Sequence, residues 1–234
     1  MRQSQTHPGD FPPLSHATPE GLLAIGGDLS ADRLIEAYSR GIFPWFNPGQ
    51  PILWWSPDPR SVLYPDGIRI HRSLRKTLRN GGFNFSMDHA FDAVIRECAA
   101  RRRNDIRDSW ITPDMIDAYT ELYNLRIAHS IEVWQDDHLV GGLYGIFLGR
   151  VFFGESMFSR APNASKCALS ILASMMNARG DSLIDCQIES PHLESLGARS
   201  IPRHEFIATL NSGLETPLSC DRWAFNSGDL ERLL

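Results

Sequence analysis

Apolar positions crowd most densely between Gly141 and Met176. Two apolar runs, Leu139–Leu148 and Arg150–Phe158, meet at Gly149-Arg150. A polar turn, SRAPNASK, then leads into a segment with Ala168, Leu169, Ile171, Leu172, Met175 and Met176 on one side. This pattern predicts strand, tight turn, strand, turn and helix. Upstream, Ser30 is a good N-cap for a helix with Leu34, Ile35 and Tyr38 along its apolar stripe, and Gly41 is its stop. Residues 41–63 hold five prolines and three tryptophans, which predicts a stiff aromatic loop with one short strand at Ile52–Trp55. Trp45 and Phe46 are the expected exposed pair within it.

From Ile68 the pattern turns to mixed elements. Short strands are expected at Gly67–Ile70 and Phe83–Ser86, with a basic helix from Ser73 to Arg79 between them. Asp88 is the expected cap of a helix bearing Phe91, Val94, Ile95 and Cys98. Thr112 caps the next helix, with Pro113 at its first turn and Met115, Ile116, Tyr119, Leu122 and Tyr123 as its stripe. His129–Gln135 alternates as a strand. After the long helix, SLIDCQ reads as a strand, Pro191–Leu196 follows, and a last helix lies near Arg203–Leu210. Residues 211–234 look like a peripheral tail.

Glu155 interrupts an otherwise apolar strand. A buried, unpaired carboxylate costs several kcal/mol, so it needs a partner or a cleft. Arg160 is one candidate for an ion pair. The net charge of −5 is unevenly spread: residues 60–107 carry 11 Lys/Arg against 5 Asp/Glu, and the rest carries 12 against 23. Clusters at Arg69–Arg79 and Arg101–Arg103 suit phosphate contacts, although an ordinary solvated helix face has the same composition. Cysteines 98, 167, 186 and 220 lack metal-ligand spacing, which fits reduced thiols in the cytoplasm. No apolar run spans a bilayer, and neither a phosphate-binding loop nor a Cys/His metal set is present.

The predicted order is an α+β chain: a small N-terminal domain at 1–65 and a second at 66–234, a mixed sheet flanked by helices. The second resembles the acyl-CoA N-acetyltransferase fold. Where that fold carries a pyrophosphate loop with two glycines, this chain reads Arg160-Ala161-Pro162-Asn163-Ala164-Ser165. Without glycines the backbone cannot approach phosphates closely, which argues for an acyl donor other than coenzyme A.

The stretches GLLAIGGDLS, GIFPWFNPGQPILWWSPDPR, SWIT, HSIEVW, LVGGLYG, FFGESMFSRAPNASK and LIDCQ, in that order, resemble the leucyl/phenylalanyl-tRNA–protein transferases. The resemblance runs from about Gly21 to Arg203. It implies a cytoplasmic bacterial enzyme that moves Leu or Phe, and less well Met, from aminoacyl-tRNA to a protein's N-terminal Arg or Lys. The product would enter N-degron proteolysis. The donor is an activated ester, so no cofactor or metal is expected, and the chain is expected to be a monomer away from membranes. Position in the family implies Leu143, Phe152 and Leu169 as walls of the amino-acid pocket. It also implies Trp45 and Trp110 as stacking partners of the tRNA 3′-adenosine. Arg72, Arg75, Lys76, Arg101, Arg102 and Arg103 would meet its phosphates. Phe147 and Met157 are further pocket neighbours.

Asp185 and Gln187 lie two apart and so share a strand face. In the relay expected here, Asp185 holds the Gln187 amide, and the Gln187 carbonyl receives the attacking amine. In a rival role, Asp185 and Glu155 form an acidic cup for the cationic side chain. Two other functions fit less well: an acetyl-CoA-dependent N-acetyltransferase, and a non-catalytic reader of basic N-termini.

Overall fold

The computed structural model describes residues 11–100, 110–216 and 222–234. A small antiparallel sheet comes first. It is built from β1 (Leu22–Ile25), β2 (Phe43–Pro44) and β3 (Leu53–Trp55) in the order β1-β3-β2, with helix α1 (Ala31–Ser39) inserted. Leu34 and Tyr38 are fully buried, as the stripe requires. Asp58-Pro59 is a cis peptide, and the chain then enters β4 (Arg60–Leu63). This strand lies ahead of the 65/66 boundary but is hydrogen-bonded into the large sheet, between β9 and β10.

The remaining elements are, in order, α2 (Arg72–Asn80), β5 (Asn84–Met87), α3 (Phe91–Ala99), α4 (Pro113–Asn124) and β6 (Ala128–Gln135). After them come β7 (His138–Leu148), β8 (Val151–Ser159), α5 (Ala164–Arg179) and β9 (Leu183–Gln187). The chain ends with α6 (Pro191–Ser195), β10 (Arg199–Ile201), α7 (Arg203–Leu214) and α8 (Ser227–Glu231). The seven-stranded sheet runs β10-β4-β9-β8-β7-β6-β5. All its neighbours are antiparallel except β8 and β9, which α5 joins as a parallel pair. This is the expected α+β architecture, with a mixed sheet between helices. Ile131, Leu143, Phe152 and Ile184 face α5, whereas Tyr144, Phe153 and Leu183 face α1, α3, α4 and α7.

Several local expectations give way to tertiary structure. Gly67–Ile70 forms no strand: Pro65–Gly67 is a 3-10 turn, and the Arg69 amide bonds the Leu196 carbonyl instead of a ladder. Asp88 caps no helix. Its carboxylate accepts from the Ser130 and Trp223 amides and meets His129 Nδ1 at 2.7 Å. Phe46 is buried in the core, leaving Trp45 as the exposed partner. The C-terminal stretch is no peripheral tail: Trp223 is buried and stacks on His129 at 4.1 Å, and Asn226 opens α8 with a capping box. Its anchoring rests on scattered residues, the Trp223 ring and N–H together with Leu230 and Leu233 against the core, which leave no long helical period to read.

Irregularities in the large sheet shape the region around Glu155. Tyr144 pairs with Ser156 and Gly145 with Gly154, so Glu155 is an extra residue in a β-bulge. A Cβ on Gly145 would lie 2.1 Å from the Phe153 carbonyl oxygen, so this pairing requires glycine. In addition, β8 and β9 pair only from Val151–Phe153 to Leu183–Asp185. Beyond those residues the two strands part.

Candidate active site

The parting of β8 and β9 opens a cleft of about 1280 Å³. Its lining includes Trp45, Trp110, Leu143, Phe152, Glu155, Leu169, Asp185 and Gln187. One cavity therefore gathers the three polar candidates, the three apolar candidates and both aromatic ones. Met157 joins the lining. Phe147 does not, because its ring packs on Trp223 at 5.2 Å. Arg72, Arg75 and Lys76 are exposed on α2, away from the cleft, while Leu74 and Leu78 bury its other side. Arg101, Arg102 and Arg103 lie outside the described residues.

The apolar slot sits on the α5 side. Leu143 and Phe152 come from adjacent strands and Leu169 from α5, with Leu172 and Ile184 beside them. A slot of this kind grips an apolar side chain by shape, since it offers no polar partner.

The polar side is built from elements far apart in sequence. Asp185, fully buried, accepts from Arg60 at both oxygens, Nε to Oδ1 at 2.8 Å and Nη2 to Oδ2 at 2.6 Å. The guanidinium lies 4.8 Å from the centre of the Phe43 ring and 4.6 Å from that of Phe206, and Nη1 donates to the Gly41 carbonyl. Asp185 Oδ1 also accepts the Gln187 backbone N–H at 2.9 Å. Gln187 has φ of 64°, so β9 ends in a left-handed residue, and this hydrogen bond holds that unfavourable turn.

The geometry corrects the expected relay. Asp185 holds the Gln187 main chain, and the Gln187 side-chain amide is held by Glu155, with Nε2 donating to Oε1 at 2.8 Å. Nor is Asp185 a free wall of an acidic cup, because Arg60 occupies both of its oxygens. The Arg160 partner considered for Glu155 is corrected too: Arg160 pairs with Glu97, its Nε donating to Oε2 at 2.6 Å.

Around Glu155 the partners are phenols. Tyr38 Oη lies 2.7 Å from Oε1, Tyr119 Oη lies 2.9 Å from Oε2, and the two hydroxyls are 2.5 Å apart. Tyr144, buried beside them, has an Oη with no hydrogen-bond partner among the described residues. Burial pushes the Glu155 carboxyl up to about 7, and the negative Asp185 adds to this; hydrogen bonds from Tyr38, Tyr119 and Gln187 oppose it. Burial, and then the Glu155 charge, holds all three phenols well above their usual range. Sequence reasoning missed Arg60, Tyr38 and Tyr119. Arg60 reads as one more cation of the basic stretch, and the tyrosines read as apolar stripe.

At the start of α5, Asn163 is left-handed with φ of 66°. The Ser165 amide is spent on Ser159 Oγ and the Ala164 amide on the Ala161 carbonyl. Both would be needed for a phosphate cradle.

Comparison with known proteins agrees with this construction. The model of the leucyl/phenylalanyl-tRNA protein transferase family matches residues 62–211, and that of its N-terminal domain matches 27–58. A leucyl/phenylalanyl-tRNA–protein transferase from Thiobacillus denitrificans is 54% identical over 229 residues, covering 97% of this chain and 100% of that protein. One from Azotobacter vinelandii is 56% identical over 214 residues, 90% of this chain and 94% of the relative. Among solved structures, a soil-metagenome aminoglycoside acetyltransferase overlaps 50% of this chain and 84% of its own, at 12% identity and a TM-score of 0.36. That overlap is too loose to build on. Sequence identity over the full length places the protein among the aminoacyl-transferring enzymes. The chain belongs to the leucyl/phenylalanyl-tRNA–protein transferase family.

Proposed function

We propose that this cleft transfers leucine or phenylalanine, and less readily methionine, from aminoacyl-tRNA to the free amino group of a protein beginning with Arg or Lys. The observation that carries the reading is Gln187 at the edge of an apolar slot, its main chain held by Asp185 and its side-chain amide by Glu155. The aminoacyl side chain enters between Leu143, Phe152 and Leu169, while Trp45 and Trp110 stack on the terminal adenosine. The exposed cations Arg72, Arg75 and Lys76 steer the acceptor stem. Gln187 Oε1 accepts a hydrogen bond from the incoming amine and aims its lone pair at the ester carbonyl. The N–C bond forms, the C–O bond to the ribose breaks, and the proton lost by nitrogen ends on the ribose oxygen.

Such an α-amine has a pKa of about 7.7–8.0, so on the order of a tenth is neutral at pH 7 and ready to react. With Asp185 occupied by Arg60, the carboxylate placed for the acceptor's cationic side chain is Glu189. It is exposed on the cleft lining two residues past Gln187. No described helix is long and apolar enough to cross a membrane. A cytoplasmic location and delivery of the product to N-degron proteolysis belong to the same proposal. A single-turnover assay with radiolabelled Leu-tRNA and an Arg-starting peptide tests the reading. The expected product is the Leu-Arg peptide bond, and absence of label in the peptide defeats the proposal.

A further inference from the structure

The Glu155 cluster contains more oxygen–oxygen contacts than its hydroxyl protons can fill. Tyr38, Tyr119 and Glu155 form a closed triangle with edges of 2.5, 2.7 and 2.9 Å. Each edge at that length needs one proton between its oxygens, and each tyrosine owns one. If Glu155 were a carboxylate, two protons would serve three edges. Either the two phenol oxygens would then face each other bare at 2.5 Å, or one phenol oxygen would face a charged oxygen with no proton between. A third proton on Glu155 closes the ring, whichever way the donors circulate.

Gln187 is bound by the same proton count. The ring uses the only proton the carboxyl has, so the Glu155 oxygen facing Gln187 can only accept from it. The amide must turn its Nε2 toward that oxygen, as it does at 2.8 Å, and its Oε1 is left as the outward end. A neutral carboxyl left out of the ring could instead donate its proton to Gln187 Oε1 and allow the amide to flip.

We propose that Tyr38 and Tyr119 are positioning residues that hold Glu155 as a neutral acid, and that this neutral acid sets the orientation of the Gln187 amide for transfer. The inference rests on the aminoacyl-transfer reading for its consequence, but not for the proton itself. The surroundings agree. Tyr38 faces Glu155 from α1, Tyr119 from α4 and Tyr144 from β7, with Cys98 of α3 behind Tyr144. Asp185 of β9 is occupied by Arg60 of β4. Among the described residues, the hydrogen-bond donors to Glu155 are thus all neutral. Burial raises the carboxyl to about 7, so the proton is retained through the acid side of neutrality and released above it.

Two measurements test the inference. Infrared difference spectra of the unliganded protein between pH 6 and 8.5 should show a protonated-carboxyl stretch that titrates near neutrality and is missing from Glu155→Gln. Absence of that band overturns the inference whether or not the protein transfers amino acids. In single-turnover transfer, Glu155→Gln can reproduce the neutral pattern, because its amide both donates and accepts. We expect Glu155→Gln to hold kcat within about tenfold of wild type while Glu155→Ala loses about a hundredfold. Tyr38→Phe and Tyr119→Phe should each lower kcat by about tenfold and leave KM for peptide and tRNA unchanged. The ratio of wild-type to Glu155→Gln kcat should fall as pH rises past neutrality, since the gain from deprotonating the attacking amine is common to both enzymes and cancels. A Gln variant as inactive as the Ala variant, or a ratio that does not change with pH, overturns the positioning role. If the wild-type protein transfers nothing, it is the transferase reading that fails, and the infrared result still decides the state of Glu155.

Discussion

Asp185 and Glu155 face one cleft from neighbouring strands, carry the same functional group, and are both buried. What separates them is the company each keeps. Asp185 meets a guanidinium in bidentate register, which satisfies its charge inside the protein. Glu155 meets two phenols and an amide, which offer hydrogen bonds but no compensating charge. The first is therefore a fixed ion pair and the second a protonatable acid. Between them they grip opposite ends of one residue: Asp185 takes the Gln187 main chain and Glu155 its side chain. A single glutamine is thus held in both backbone and rotamer.

The largest test of this contrast is to strand the charge of Asp185. Arg60→Ala should destabilise the fold by about 3–5 kcal/mol, because a buried carboxylate then lacks its partner. Urea unfolding of the variant measures this. Replacing the pair together, Arg60→Met with Asp185→Leu, should recover most of that loss. It should leave transfer impaired, since the Gln187 N–H no longer has its acceptor. If the double variant transfers like wild type, the Asp185 grip on Gln187 is irrelevant to function.

Glu155 predicts the opposite dependence, on pH and not on a partner. Its ordinary value of 4.5 rises to about 7 in the folded protein. Between those values the native state keeps a proton that the unfolded chain has released. Stability therefore falls as pH rises through this window, by roughly 3 kcal/mol in all, and is flat above it. Glu132 and Asp181 are also raised by burial, so the quantity to measure is the difference between wild type and Glu155→Gln. That difference should slope between pH 5 and 7. A flat difference would mean that Glu155 releases its proton over the same pH range in the folded and the unfolded chain.

Much of this arrangement was legible in sequence order. The hairpin of β7 and β8, the long α5 and the short β9 follow from apolar runs and their turns. Glu155 was conspicuous as a charge in an apolar strand. Less legible was anything set by contacts distant along the chain. The ion pair joins residues 60 and 185, and the phenols come from 38 and 119, so no local period relates them. The bulge at Glu155 was hidden as well. It shifts side-chain alternation by one, so that Phe153 and Phe158 share a side of the sheet although five residues apart. A pattern read with period two cannot register that change. Likewise, the spacing of Asp185 and Gln187 implied contact between side chains, but the left-handed turn at Gln187 gave the carboxylate its backbone instead.

The smallest effect on the fold should come from charges that solvent already satisfies. Arg75 and Lys76 stand exposed on α2, so reversing both, Arg75→Glu with Lys76→Glu, should change unfolding stability by within about 0.5 kcal/mol. Their consequence should lie in association. If these side chains meet phosphates, the slope of log affinity for Leu-tRNA against log salt should decrease in magnitude by about one for each contact removed. The loss should be similar for Leu-tRNA and Phe-tRNA, because phosphate contacts carry no base identity. Arg60 supplies the contrast within the same chain. Its charge is spent on Asp185 in a dry interior, where salt screens little, so stability measured at low and high salt should reveal no loss from that pair. An unchanged tRNA salt slope in the α2 variant would show that this basic face is only a solvated helix surface, with tRNA steering done by other cations.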